Sequence, residues 1–529
     1  MMTQAALRPT KHTEIKTTGY TSISKLVLVL GFLFLSGNAQ PLLGQGTTPL
    51  PRMEISELDY LGAFRLPAGT FGASSMNYAE GPIAYNASRH TLFVVGHSHH
   101  QALAEFAIPE LINASAITDL LIADAPMQAF TAILARVSNP QALDRIGGMV
   151  CIDTPSGREL LINGYEYYDA PADNSHSTLV IRDADNLATS DIEGFFSLYP
   201  DAAHVSGWMS PIPAAWQTQL GGSFLTGHAS GIPIIGRASV GPSAFVFDPY
   251  QIVGSSTLPG TFETIQLMDF PLDHPLHADL YNEQRNNDIW THLSRAVYGF
   301  IVPGTSTYMT IGYTGGHQSG VCYKCTQTDG TLCDGFCAPD VNDYAQYYWL
   351  WDVDDMVDVR DGFVPPHALR PYAYGSFPTP IQGPTPAISG ATVDFDTGTL
   401  YMALRAADTQ QGEFNNPPII AAYALPVTSQ SVSNESSEQL PDAFELSSAY
   451  PNPFHTATTF DIKLPQTTDV NIKIFDSLGR LMHVVHNGRL SGNQPHSFNL
   501  TPTDWPAGVY FVHVQTPNAT RLLSVSHHP

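Results

Sequence analysis

The sequence predicts an all-β protein: a β-propeller of five blades, with six as the alternative count, followed by a small C-terminal β-sandwich. Three observations carry this. One seven-residue strand pattern recurs five times between residues 58 and 426. Each copy is flanked by further short strands and by turns bearing Gly or Pro. A second set of short alternating strands begins beyond a polar linker at residues 427–442. Composition agrees, since 43% of residues are hydrophobic and only 13% charged, with 42 Gly and 41 Pro, a balance that favours strands and loops over helices.

The first element is an address. Lys25 leads into an apolar run at residues 26–35 (LVLVLGFLFL), which gives way to Ser36-Gly37-Asn38-Ala39. A basic start, a short apolar stretch and small residues at the end describe a signal peptide over residues 1–39, cleaved after Ala39. The run is too short to span a bilayer comfortably, so the mature chain is expected to carry no transmembrane segment. A linker over residues 40–57 then leads to the body, which is expected to reach an oxidising compartment.

Within residues 58–426 the repeated strand reads TLFVVGH at 91–97, ELLINGY at 159–165, GSFLTGH at 222–228, TYMTIGY at 307–313 and TLYMALR at 399–405. Ahead of each lies a strand of small residues: 81–86, 146–153, the segment around Ala214-Ala215-Trp216, 296–302 and 390–396. Behind each lies an aromatic or aliphatic strand, at 102–108, 177–182, 244–250, 347–353 and 420–425. A fourth follows at 130–134, 195–199, 264–270 and 372–377. Four antiparallel strands per unit, the first lean and the second apolar, describe a propeller blade. Residues 60–66 precede the first unit and are expected to supply the outermost strand of the last, which removes two exposed edges. A sixth blade would have to lie in residues 200–213 or 276–290.

After the linker, residues 443–529 show alternating strands at 459–464, 470–475, 481–486, 497–500 and 509–514. The string YPNPF at 450–454, the strand end Leu464-Pro465, IFDSLGR at 474–480 and PAGVYFV at 506–512 occur in order. This segment resembles the type A C-terminal sorting domain of the type IX secretion system. The resemblance implies engagement with that secretion machinery, passage across the outer membrane, and removal of the domain or its use for surface attachment. The chain ends Ser526-His527-His528-Pro529 rather than in a basic tail. The body is similar to a family of uncharacterised exported bacterial proteins that share LGAFRLP (61–67) and RAVYGF (295–300) followed by a Pro-Gly-Thr turn at 303–305. That resemblance implies the repeat unit and no particular chemistry.

Blade geometry converts the repeat into a site expectation. The residues closing the five strands are His97, Tyr165, His228, Tyr313 and Arg405, each large and polar after an apolar run. On the same axial face fall His99, Glu166 and His317, with Glu80, Arg145 and Arg295 ahead of first strands. Three readings compete. A divalent metal (Zn, Mn or Ca) is expected from His97, His99, His228 and His317, with Glu80 or Glu166 as carboxylate ligand or base, which would make the protein a metal-assisted polysaccharide lyase. A metal-free site for an extracellular polysaccharide is expected from Tyr165 and Tyr313 stacking on sugars while Arg145, Arg295 and Arg405 grip uronate or sulfate. The third reading has the same side chains hydrogen-bonding loop carbonyls.

Other classes recede. The chain carries 48 acidic against 23 basic residues, a net charge of −25, and Lys324 is the one lysine between residues 40 and 426. Phosphate neutralisation needs a basic face, so nucleic acid is not an expected partner. Paired carboxylates for glycoside hydrolysis reduce to Glu80, Asp144 and Asp288, with nothing comparable in the third or fifth unit. Cys322, Cys325, Cys333 and Cys337 follow a C-x2-C-x7-C-x3-C spacing. In a cytosolic chain this reads as zinc; in an exported one two disulfides are expected, with three connectivities open. Cys151 is expected to be a buried free thiol.

Overall fold

The computed structural model describes residues 50–426 and 445–527, apart from 170, 172, 200–201, 233–237, 256–259, 448, 450, 453, 477–479, 503–504, 507 and 517–519. The signal peptide expected at residues 1–39 lies outside the described residues, as does the polar linker expected at residues 427–442. What is described is mostly strand, so the all-β expectation holds.

Five four-stranded antiparallel sheets follow one another along the body. The first joins Ile83–Asn86, Thr91–Val95, Ala102–Ala107 and Gln128–Ala132. The second joins Arg145–Thr154, Gly157–Tyr165, Thr178–Ile181 and Ile192–Leu198, with Thr261–Phe262 added in parallel at its edge. The third joins Met209–Pro211, Phe224–Thr226, Ala244–Phe247 and Ile265–Met268, and the fourth Arg295–Ile301, Thr307–Gly315, Tyr344–Asp352 and Ala373–Ser376. The fifth takes Ile388–Asp394, Thr399–Leu404 and Ile419–Ala424 from one end of the body and Asp59–Arg65 from the other. Tyr60 pairs with Tyr423 and Arg65 with Ile419, so the N-terminal strand occupies the outer edge of the last sheet.

The second strand of each sheet is mostly buried and largely apolar because both of its faces are covered. Leu92 and Val94 pack with Phe64, Tyr401 and Ile420, whereas Phe93 and Val95 pack with Met149, Ile162 and Leu179. In the next sheet Leu160 and Ile162 face back while Leu161 faces forward, onto Phe245 and Phe247. Burial on both sides replaces alternation with a continuous apolar run. First strands are lean for a different reason. They contact one another in sequence, and Ile388–Asp394 also contacts Ile83–Asn86. A Cβ built on Gly148 would lie 1.8 Å from the carbonyl oxygen of Gly207, and one on Gly207 would lie 2.2 Å from that of Gly227. Only hydrogen fits between backbones this close.

The third unit departs from expectation. Ala214-Ala215-Trp216 is not its first strand but opens an α-helix, Ala214–Leu220, and the strand is Met209–Pro211. Pro213 ahead of two alanines, and Gly221 at φ 88° behind, are helix start and stop signals. Of the two segments reserved for a sixth blade, 200–213 supplies that strand and a short helix, and 276–290 contains no strand among the described residues.

The C-terminal segment forms two further sheets. One pairs Glu445–Leu446, Thr458–Lys463 and Pro495–Leu500; the other orders Leu481–Leu490, Thr468–Asp476, Gly508–Gln515 and Thr520–His527. Phe460, Ile462 and Leu500 from the first share a core with Ile472, Val512 and Val525 from the second, the packing of a sandwich. The strand Thr520–His527 was not among the expected ones.

Candidate functional site

At one end of the first strands lies a cavity of about 250 Å³. Seven of the expected residues line it: Glu80, Arg145, Tyr165, His228, Arg295, Tyr313 and Arg405. They converge because each lies at or near one end of the first two strands of its sheet. Arg295 and Tyr313, for example, are register partners across one strand pair, as are Arg145 and Tyr165 across another.

Each guanidinium rests on a tyrosine ring. Arg145 lies 5.0 Å from the Tyr167 centroid, Arg295 5.9 Å from Tyr165 and Arg405 5.2 Å from Tyr313. A planar cation held by its face keeps its N–H edges for other partners. Arg145 uses one on Asp144, whose carboxylate lies 2.9 Å away. Arg295 donates to the Tyr165 hydroxyl at 2.6 Å. Glu80 is shared, 3.4 Å from Arg405 Nη1 and 4.0 Å from Arg295 Nη1. Among the described residues, then, Arg295 and Arg405 have one carboxylate between them. Burial opposes the charge on Arg295, but Tyr165, Tyr313 and Glu80 around it hold its pKa above the ordinary value. The same balance of burial against Glu80 and Tyr313 raises that of Arg405. Both stay cationic.

His228 forms part of the wall, with its ring centroid 4.6 Å from that of Tyr165. Its Nδ1 lies 3.1 Å from the Ala203 carbonyl and 2.9 Å from Ser206 Oγ. A carbonyl only accepts, so Nδ1 carries the proton and Nε2 presents a lone pair. That Nε2 is buried with no hydrogen-bond partner among the described residues. Burial, reinforced by the Arg295 charge, pushes the His228 pKa down to about 3, so the ring is neutral. The cavity thus offers cations and the Tyr165 hydroxyl proton as a donor.

The remaining expected residues are elsewhere engaged. Glu166 accepts from Asn174 Nδ2 at 3.2 Å and is not on the cavity wall. His317 has both ring nitrogens occupied, Nδ1 donating to the Asn287 carbonyl at 2.8 Å and Nε2 2.9 Å from Thr314 Oγ1. His97 stacks on His100 at 4.6 Å, with its Nδ1 accepting from the His99 amide at 3.1 Å. Burial, with His100 and His99 adding to it, lowers the His97 pKa. The expected metal centre of His97, His99, His228 and His317 is therefore not assembled: no histidine belongs to a group of three ligand atoms close enough to share an ion among the described residues. Strand ends in different sheets brought phenols and guanidiniums together, whereas His97 is engaged by the nearby His99 amide and His317 by the Asn287 carbonyl.

Sequence reasoning missed Trp208 and Gln101. Trp208 immediately precedes its first strand, near the end where Arg145 and Arg295 open theirs, and was lost with that strand; its Nε1 donates to the Tyr308 hydroxyl at 3.0 Å. Gln101 is buried and ties neighbouring sheets, accepting from the Ile146 amide at 2.7 Å. The opposite ends of the same first strands line a second cavity of about 200 Å³, bearing Asp153, Asp394 and Asp396 with Arg158.

Comparison with known proteins bears on the C-terminal segment. Residues 448–524 match the secretion system C-terminal sorting domain. The protein is exported. The match indicates delivery to the cell surface or secretion through the type IX route, and among the described residues no helix is long and apolar enough to cross a membrane. No curated protein matches the chain. Similar solved structures include CopC from Methylosinus trichosporium OB3b (19% identity, TM-score 0.12, 16% of this chain and 97% of that one). Others are dimeric latent PorU from Porphyromonas gingivalis (12%, TM-score 0.15, 54% and 23%) and an ancestral GH74 enzyme (9%, TM-score 0.27, 85% and 47%). This chain spans less than half of the latter two. All three TM-scores are too low to carry an argument about fold or activity.

Proposed function

We propose that the five sheets are the blades of a five-bladed β-propeller, and that its axial mouth binds an extracellular glycan carrying carboxylate or sulfate groups. The sequential contacts of the lean first strands, with the fifth sheet completed by the N-terminal strand, support the architecture. One observation carries the ligand: Arg295 and Arg405 face the cavity with Glu80 as their shared carboxylate, leaving a guanidinium charge uncompensated among the described residues. An anion supplies the missing charge, and guanidinium forks suit planar carboxylate or tetrahedral sulfate. A pyranose face suits the exposed Tyr167 ring on the cavity wall.

The test is a glycan array followed by calorimetry on the leading binder. Acidic polysaccharides are expected to bind and their neutral counterparts to bind far more weakly. Arg405→Ala removes a charge-assisted hydrogen bond worth about 1.5–3 kcal/mol, which corresponds to roughly a 10- to 150-fold rise in Kd. Equal binding of neutral and acidic glycans, or an unchanged Kd in Arg405→Ala, refutes the reading.

A further inference from the structure

The cysteine loop between Thr307–Gly315 and Tyr344–Asp352 contains a feature that the glycan reading does not use. Two disulfides join Cys322 to Cys325 and Cys333 to Cys337. These are the most local of the three possible connectivities, and yet the two bridges lie against each other. Cys337 Sγ is 3.6 Å from Cys322 Sγ and 3.7 Å from Cys325 Sγ. Zn–S bonds of about 2.3 Å at tetrahedral angles place sulfurs about 3.8 Å apart, so two edges of such a tetrahedron already have the right length. Of all described side chains, only Cys322, Cys325 and Cys337 gather three ligand atoms close enough to share an ion, and Cys333 is bonded to one of them.

The cage does not depend on its S–S bonds alone. Cys322 and Cys337 are register partners in a two-stranded hairpin. The Lys324 amide donates to Gly335 O at 2.8 Å and the Cys333 amide to Cys325 O at 3.0 Å, which brings both C-x2-C and C-x3-C turns together. The hairpin is seated on the body by Phe336, packed 4.8 Å from His292 and 6.0 Å from Tyr281, and by the Ala338 amide donating to the Tyr344 hydroxyl at 3.0 Å. Cys333 and Cys337 are buried, and Cys322 and Cys325 are partly so. These backbone bonds tie the two cysteine-bearing turns together independently of the S–S bonds.

We propose that, on reduction, these four sulfurs become a single tetrathiolate site for a zinc-class divalent cation, so that the loop exchanges two disulfides for one metal ion. Each disulfide takes two electrons and two protons from one molecule of a small dithiol reductant, which closes to its own cyclic disulfide. Ion binding then displaces the four thiol protons, and the two bonded sulfur pairs rotate apart to the tetrahedral spacing.

The full exported chain, reduced anaerobically with a dithiol, freed of reductant and titrated with Co²⁺, tests this. One cobalt per chain is expected, with the visible bands of tetrahedral sulfur coordination and displacement by Zn²⁺. Cys333→Ser is expected to weaken cobalt binding by at least the roughly 10–100-fold that loss of a supporting residue costs a metal site, and Cys151→Ser to leave it unchanged. A reduced chain that keeps its native circular dichroism but binds no cobalt in this geometry overturns the proposal. A chain that loses its native circular dichroism on reduction also overturns it, because the disulfides and not the backbone then hold the cage.

Discussion

The N-terminal strand is fastened to the last sheet by more than its ladder, and this can be weighed. Arg65 donates through Nε to Asp408 Oδ2 at 2.8 Å and through Nη2 to Oδ1 at 3.2 Å, a two-pronged pair. The side chain of Arg65 is 9% exposed and that of Asp408 not at all. Asp408 also accepts from the Gln410 amide at 2.9 Å and Gln411 Nε2 at 2.6 Å, and Gln411 in turn reaches Leu66 O at 2.7 Å. Asp408→Ala strands a buried guanidinium, which costs about 3–5 kcal/mol. With a urea m-value of about 3 kcal/mol per M, the midpoint should fall by roughly 1–1.7 M. Arg65→Met should cost less, because Asp408 keeps two donors. The double variant Arg65→Met with Asp408→Leu should recover most of the loss, since an apolar pair of similar volume is often neutral or better. The assay is urea unfolding followed by tryptophan fluorescence, with five of the six tryptophans lying in the body. A midpoint within about 0.3 M of wild type for Asp408→Ala, roughly 1 kcal/mol, would refute the view that this pair secures the N-terminal strand on the last sheet.

Three further outcomes follow from the same geometry. Native His228 stays neutral down to about pH 3 whereas the unfolded imidazole protonates below about 6.5, so stability should fall as pH drops from 6.5 toward 3. His228→Gln should flatten that slope, read as the difference between the two pH series of denaturation midpoints because His292 and His317 are also lowered by burial. Gly148→Ala, whose methyl would meet the Gly207 oxygen at 1.8 Å, should cost more than about 4 kcal/mol and deplete folded protein in a soluble-yield and thermal-unfolding comparison. A chain ending at residue 442 should accumulate in the periplasm and be missing from the surface and medium on cell fractionation, because it lacks the sorting domain at residues 448–524.

How much of this was legible in the sequence depends on whether the signal was local. The two-faced burial of strands such as Thr91–Val95 and Gly157–Tyr165 writes itself as consecutive apolar residues, Leu92–Val95 and Leu160–Ile162, so those strands and the residues that end them stand out. The edge position of Asp59–Arg65 follows from counting strands without partners. The lean strands are harder to read, since glycine and alanine also begin helices. In the third sheet Ala214-Ala215 drew attention from Met209–Pro211, and Trp208 went unnoticed with it. Site membership followed the same division. Tyr165, Tyr313 and Arg405 reach the cavity because strand ends aim them there. His317 satisfies the Asn287 carbonyl across a loop contact 30 residues away in sequence, a partner that strand alignment does not reveal.

The distribution of charge completes the case for direction. A chain with a net charge of −25 has every reason to scatter its few cations singly over the surface. Instead Arg145, Arg295 and Arg405 gather at one end of the first strands, while Asp153, Asp394 and Asp396 gather at the other. Each of the three cations lies on a tyrosine ring. Lysine, a strongly hydrated point charge, would lose more on such a surface and offer no fork. Aromatic support fixes the guanidiniums before any ligand arrives, so little side-chain entropy remains to be lost on binding. An acidic polymer approaching this protein is repelled by most of its surface and attracted at one mouth. Raising the salt concentration should therefore weaken both the long-range repulsion and the short-range capture, the second less because the guanidiniums are largely buried. Affinity that survives at high ionic strength, and disappears in Arg405→Ala, would separate a built site from diffuse charge attraction.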